Sequence, residues 1–248
     1  MGTNNIISRE PMVIKQIKCA CEQCDAFEHS VFRSLTADES RLFEDSKICN
    51  LYKKGQVIFH EGNRPQGLYC VKDGNVKVFK TGVDGREQIV RMAKKGDVLG
   101  YRTLIGEEAY TATAAAIVDS QICLIEKQVF FDILRTNNEM LWSFLHLLAN
   151  ELRNAENFIA DLAQKTVRER LAEVLLLLKN KYGCQPSDNQ TINVVLTRDE
   201  LASIVGTATE TLIRHLSDFK DEQVIEVKGR KIKILNTKKL FHIANINL

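Results

Sequence analysis

Cys19, Cys21 and Cys24 stand in a C-x-C-x2-C pattern near the start of the chain. Thiolates spaced this closely suit a soft metal, because one loop can set several sulfurs around a zinc ion or an iron–sulfur cluster. Such a centre needs a fourth ligand, and the nearby His29 would suit zinc. The same thiols could instead close a redox disulfide, or stay unligated. Cys49, Cys70, Cys123 and Cys184 bring the total to seven. An odd number scattered through 248 residues is not a secreted disulfide framework, so reduced thiols are expected. Cys49, Cys70 and Cys184 sit in apolar or loop contexts and are expected only to pack.

A second set of chemically able residues lies near the other end. Thr197-Arg198-Asp199-Glu200 reads as a capping box, with Thr197 capping a helix and Glu200 capping back. That helix runs through Leu201, Ile204 and Val205 to Gly206, a residue suited to a sharp stop. Thr207-Ala208-Thr209-Glu210 offers a second Thr-x-x-Glu start, and Leu212, Leu216 and Phe219 give the following helix a buried face. Two capped helices around a short glycine turn predict a helix-turn-helix. Thr209, Glu210, Arg214 and Ser217 share the opposite, polar face. Arg can bond guanine bidentately and Glu can accept from cytosine, so these types suit base edges. Val224 to Val227 and Lys231 to Leu235 then flank Lys228-Gly229-Arg230, a hairpin with a basic tip.

The elements that must carry these residues are legible too. From Asn50 to Glu126 short β-type runs alternate with glycine turns, Asp73-Gly74 and Asp84-Gly85 among them. About eight strands at this spacing predict a barrel or jelly roll. The period then changes: Leu141, Leu145, Leu148, Leu152, Ala155, Ile159 and Leu162 form a heptad seam, the mark of a self-pairing helix. Phe144, Leu147 and Phe158 widen the stripe and are expected to cover the barrel. From Ala163 onward there are 14 Lys and Arg against 10 Asp and Glu, whereas the preceding residues hold 20 against 22. The basic excess thus falls in the half proposed to meet DNA. No apolar run approaches a membrane span and no secretory signal opens the chain, so a cytoplasmic protein is expected.

Thr209-Glu210-Thr211-Leu212-Ile213-Arg214 resembles the recognition helix of the Crp/Fnr superfamily of bacterial transcription regulators. Lys54-Gly55-Gln56-Val57-Ile58-Phe59 with Glu61-Gly62, Gly74-x-Val76-Lys77-Val78 and Gly96-Asp97-x-x-Gly100 resemble its effector domain. The resemblance implies an α+β fold in the order N-terminal double-stranded β-roll, dimerisation helix and C-terminal winged helix-turn-helix. Four segments follow: a cysteine arm (1–30), the β-roll (31–136), the dimerisation helix (137–164) and the DNA-binding domain (165–248). It also implies a non-enzymatic homodimer that reads double-stranded DNA as an inverted repeat, activating or repressing transcription with RNA polymerase as a partner. The DNA-contacting residues would be Thr197, Thr209, Glu210, Ile213, Arg214, Lys228, Arg230 and Lys231. Relatives of the Fnr branch carry Ser where this chain has Ile213, an apolar side chain that favours a thymine methyl.

Two carry-overs are less direct. Cyclic-nucleotide members hold the ligand phosphate with an Arg, but Tyr110 stands at that position, and Tyr101-Arg102 follows Gly100 where Glu is expected. A buried phosphate would lack its counter-charge, so cAMP is not expected to bind. In Fnr-type oxygen sensors a distant barrel cysteine completes the N-terminal thiols, and Cys123 matches it. Cys19 would then replace a family cysteine that falls near Ser30. The set Cys19, Cys21, Cys24 and Cys123 would hold an iron–sulfur cluster or zinc, or act as a disulfide switch. Two further readings are a thiol oxidoreductase using Cys21 and Cys24, and a cyclic-nucleotide-binding module. The first lacks a thioredoxin-type context and the second lacks the Arg.

Overall fold

The computed structural model describes residues 15–17, 21, 24–28 and 30–246. The first half is built from β1 (Lys15–Ile17), α1 (Asp25–Glu28), α2 (Ala37–Ser46), β2 (Lys47–Tyr52), β3 (Val57–Phe59), β4 (Gly67–Asp73), β5 (Asn75–Thr81), β6 (Glu87–Lys94), β7 (Val98–Leu99), α3 (Tyr101–Ile105), β8 (Thr113–Ala116) and β9 (Ser120–Glu126). Alternation along β5 turns Val76 and Val78 inward and leaves Asn75 and Lys77 partly exposed, the period of a half-buried strand. Two antiparallel sheets result, ordered β1-β2-β9-β4-β7 and β3-β8-β5-β6. They enclose Phe59, Tyr69, Leu99, Tyr110 and Ile122. This is the expected β-roll, extended by β1, which pairs Ile17 with Cys49 from a segment read from sequence only as an arm.

Helices α4 (Lys127–Thr136) and α5 (Asn138–Gln164) lead away from the roll. Asn137 caps α5 by accepting from the Met140 N–H at 2.9 Å. Its amide also donates to Ser34 O at 3.1 Å and to the Glu39 carboxylate at 2.8 Å, clipping the start of α5 to the start of α2. Along its first turns α5 buries Met140 and Phe144 against Phe32, Tyr101 and Phe130. Phe144 is only 1% exposed and meets Phe130 edge-on at 5.3 Å. Farther along, Arg91 of β6 pairs with Glu151 of α5 at 2.9 Å.

The second half comprises α6 (Val167–Tyr182), α7 (Arg198–Val205), α8 (Thr209–Asp221), β10 (Ile225–Lys228), β11 (Lys231–Ile234) and α9 (Thr237–Ile243). Leu175, Leu201, Val205, Leu212, Leu216 and Phe219 centre its core. That core is continuous with Phe79, Ile89 and Met92 of the roll, so the two halves share apolar surface. Polar contacts fix their register. The Ser203 hydroxyl donates to Glu87 O at 2.7 Å and accepts from the Ile89 N–H at 2.6 Å. Lys181 donates to Met92 O and pairs with Asp97 at 3.3 Å, and burial pushes its ammonium pKa down. Among the described residues no helix is long and apolar enough to cross a membrane.

Phe144 fills the join between α5 and the roll, so Phe144→Ala leaves a cavity that its neighbours close only in part. The expected cost is about 3–5 kcal/mol in urea unfolding. A loss below about 1 kcal/mol would show that this ring does not anchor the helix.

Candidate nucleic-acid interface

Thr197 opens α7 as expected: its hydroxyl accepts from the Glu200 N–H at 3.1 Å, and the Glu200 carboxylate accepts from the Thr197 N–H at 2.7 Å. The helix ends at Gly206, whose φ of +72° and ψ of 52° are left-handed. A Cβ there would also lie 3.0 Å from Leu162 Cδ2 at the end of α5, so conformation and close approach both call for glycine. The last carbonyls of α7 have no partner within the helix, and Arg170 of α6 satisfies them. Its guanidinium donates to Val205 O at 3.0 Å, to Gly206 O at 3.2 Å and to Lys165 O at 2.7 Å.

One sequence expectation needs correction here. The second capping box, from Thr207 to Glu210, does not form: the N-cap of α8 is Ala208, with no side-chain cap. The Thr207 N–H is already taken by Ala202 O at 3.1 Å, which makes Thr207 part of the stop of α7. Thr209 begins α8 instead, and its hydroxyl donates to Asp199 Oδ1 at 2.8 Å, tying the first turns of α7 and α8 together. Leu212, Leu216 and Phe219 face the core, while Glu210, Ile213, Arg214 and Ser217 are exposed on the other side. One convex helix face therefore carries a carboxylate, a guanidinium four residues on, and an apolar side chain between them.

The hairpin of β10 and β11 pairs Lys228 with Lys231 across Gly229 and Arg230, and all three basic residues are exposed. Lys228 is held by Glu226 at 2.9 Å, a hydrogen bond that raises its pKa. Arg198 joins this wing to the helices by donating to Gly229 O at 2.8 Å, and burial lowers the pKa of its guanidinium. Arg170 and Arg198 position the interface, yet neither was singled out from the sequence. Each acts through backbone carbonyls at least 31 residues away in the chain or across a helix end, and residue type alone does not announce that.

The heptad residues all lie on α5. Leu141, Leu145, Leu152, Ala155, Ile159 and Leu162 are exposed, Leu152 by 62% and Ile159 by 66%. Leu148 departs from them, packing partly against the core that holds Phe144. Within the roll, Tyr110 is buried. Its ring stacks on Phe59 at 4.0 Å, and burial pushes its phenol pKa up. Gly100 runs close beneath: a Cβ there would sit 3.2 Å from the Tyr110 ring. Arg102 instead turns toward Glu151, 3.8 Å away.

Cys21, Cys24, Cys70 and Cys123 line one small cavity, while Cys19 and His29 lie outside the described residues. Cys123 is bonded to Cys49, which the sequence reading expected only to pack; that expectation is corrected. The two are direct partners across β2 and β9, a register that the sequence does not display. Among the described residues no three Cys, His, Asp or Glu side chains are grouped to hold a metal.

Comparison with known proteins places these features in a known context. Residues 50–137 match the cyclic nucleotide-binding domain family and residues 169–243 the Crp-like helix-turn-helix domain family. The chain is 26% identical to the fumarate and nitrate reduction regulatory protein of Vibrio cholerae, over 98% of both chains. It is 29% identical to the anaerobic regulatory protein of Bacillus subtilis, over 78% of this chain and 82% of that one. It is 27% identical to a CRP-like cAMP-activated global transcriptional regulator of Mycobacterium tuberculosis, over 76% and 84%. Among solved structures, FixK2 from Bradyrhizobium japonicum superimposes with a TM-score of 0.71 at 24% identity, over 81% of this chain and 98% of that one, a likeness of fold.

Gly206 tests the geometry of the turn. Gly206→Ala forces a side chain into left-handed backbone and against Leu162, with an expected cost of about 1–3 kcal/mol. Denaturant unfolding checks it, and wild-type stability in the variant would mean that the turn is not closed as described.

Proposed function

Because the chain belongs to the Crp/Fnr family of DNA-binding transcription regulators, with a cyclic-nucleotide-type sensory domain, we propose that it acts as a homodimer reading an inverted repeat. Glu210, Ile213 and Arg214 face base edges in the major groove, with Thr209 at the groove entrance. Thr197, Lys228, Arg230 and Lys231 meet the phosphates. RNA polymerase is the partner through which such a regulator acts. The observation that carries this reading is α8 itself, which buries Leu212, Leu216 and Phe219 and exposes Glu210, Ile213 and Arg214 on the opposite face. Phosphate contacts orient a protein on DNA and base contacts specify the site, so the two sets of residues predict different defects.

Arg214→Ala should cost about 1–3 kcal/mol per half-site and relax the preference at one G·C pair. Lys231→Ala should weaken binding to specific and random duplexes alike and flatten the dependence on salt. Titration of labelled duplexes separates the two outcomes. Equal loss on specific and random DNA for Arg214→Ala would contradict its assigned role.

The homodimer rests on the exposed leucine and isoleucine stripe of α5, an unusual surface for a single chain in water. Leu148 also touches the core of the roll, so its substitution would mix folding with assembly. Leu152→Lys is the cleaner change, because it sets one charge opposite its copy in a two-fold seam. Sedimentation is expected to show wild-type dimers and variant monomers at micromolar concentration. Wild-type monomers would refute the seam.

The sensory roll is proposed to work without cAMP in the usual place. Tyr110 stacks on Phe59 in its interior, at the position where the resemblance would put the phosphate-binding Arg. The Mycobacterium tuberculosis relative is named as cAMP-activated, and Tyr110 marks where this chain parts from such a site. Calorimetry with cAMP should give no binding heat in the micromolar range, and tight binding would overturn the statement.

A further inference from the structure

Two helices end at one place in this chain. The long helix α5 closes at Lys165 and α7 closes at Gly206, and helix ends leave such carbonyls without a partner in their own helix. Arg170, in the first turns of α6, answers both. Its Nη1 donates to Lys165 O at 2.7 Å, its Nε to Val205 O at 3.0 Å and its Nη2 to Gly206 O at 3.2 Å. Helix C-termini carry partial negative charge, so a guanidinium set between two of them is held by both. The side chain is only partly exposed, and all three of its nitrogens are spent on backbone carbonyls. A lysine could not do the same, because an ammonium is a point donor while the planar fork reaches several acceptors at fixed angles.

The two ends joined in this way matter for DNA. Leu162, the last residue of the leucine and isoleucine stripe, stands just before Lys165, and Gly206 stands just before Thr209, where α8 begins. Along the chain these points are separated by α6 and the loop that follows it. The Arg170 guanidinium is a much shorter path between them. Leu162 also approaches Gly206 at the same spot. The Ser203 clasp ties α7 to the roll, whereas Arg170 ties it to the helix on which two chains are proposed to meet.

We propose that Arg170 is a positioning residue that determines specificity for spacing: it sets the separation of half-sites that the dimer accepts, while Glu210, Ile213 and Arg214 set their bases. This rests on the inverted-repeat reading given under the proposed function. One base pair moves a half-site by about 3.4 Å along the duplex and by about a tenth of a turn around it. A two-fold dimer shares the change, so each recognition helix must yield by about half of it to accept the neighbouring spacing. A rigid elbow between seam and α8 refuses that shift, and a loose one grants it. Without Arg170 the carbonyls at both helix ends turn to water, and the elbow loses its polar tie.

The whole chain is titrated against labelled inverted repeats that share the half-site it selects and differ only in base pairs added or removed at the centre. Wild-type protein should prefer one spacing by at least about tenfold over those one base pair longer or shorter. Arg170→Ala should narrow that ratio to about threefold or less, with base preference inside each half-site unchanged. Loss of a positive charge weakens binding at every spacing and so cancels in the ratio. Arg170→Lys keeps the charge without the fork and should behave like the alanine variant. Circular dichroism and sedimentation accompany each variant. A folded, dimeric Arg170→Ala chain with the wild-type ratio would overturn the proposal and leave the DNA reading intact. Wild-type protein that binds repeats of every spacing alike would overturn it too. Wild-type protein that binds no repeat better than random duplex would refute the inverted-repeat reading and the proposal with it. Should Arg170→Ala fail to fold, Arg170→Lys decides by the same ratio. If neither variant folds, or if the folded variant is a monomer, Arg170 serves the fold or the seam and the proposal falls.

Discussion

Strand β6 closes one edge of the four-stranded sheet, and among the described residues its outward backbone groups face no further strand. Exposed edges are costly and prone to wrong pairing, so folded proteins cover them. Here the covering piece is α7 of the DNA-binding unit. The Ser203 hydroxyl takes up both Glu87 O and the Ile89 N–H, and Ile89 and Met92 continue into the core behind α7. The orientation of α8 follows from this joint, because Asp199, Gly206 and Arg170 tie the two helices and their turn into one body. A change in the roll that moved β6 would move the recognition face with it.

The long helix enters the same joint from another side. Glu151 reaches Arg91 on β6, and Leu162 lies against Gly206 at the turn. The surface on which two chains are proposed to meet thus touches both the sensor and the reader. For a regulator of this family that is a short physical path between effector domain and DNA. It runs through packed side chains and backbone hydrogen bonds that can be broken one at a time.

Local patterns made much of this legible in the sequence. The heptad of α5, the Thr197 capping box, the buried face of α8 and the basic hairpin each depend on residues a few positions apart, and periodicity or capping chemistry exposes them. What stayed hidden is non-local. The Ser203 bridge spans 116 residues in the chain, and the Cys49–Cys123 bond depends on a strand register that no local motif encodes. The Thr207 capping box misled for a related reason. Its sequence fits the motif, but the preceding helix had already claimed the Thr207 N–H through Ala202. Leu148 reads like its heptad neighbours, and only packing reveals its contact with the roll.

The central claim is that two recognition helices, held by one dimer, read DNA together. Selection of bound duplexes from a randomised pool by the whole chain tests it most directly. The account predicts enrichment of a symmetric inverted repeat with half-site centres about one helical turn apart, bound by two protomers. Enrichment of a single unsymmetric site bound by one protomer, or no enrichment over random sequence, would contradict it.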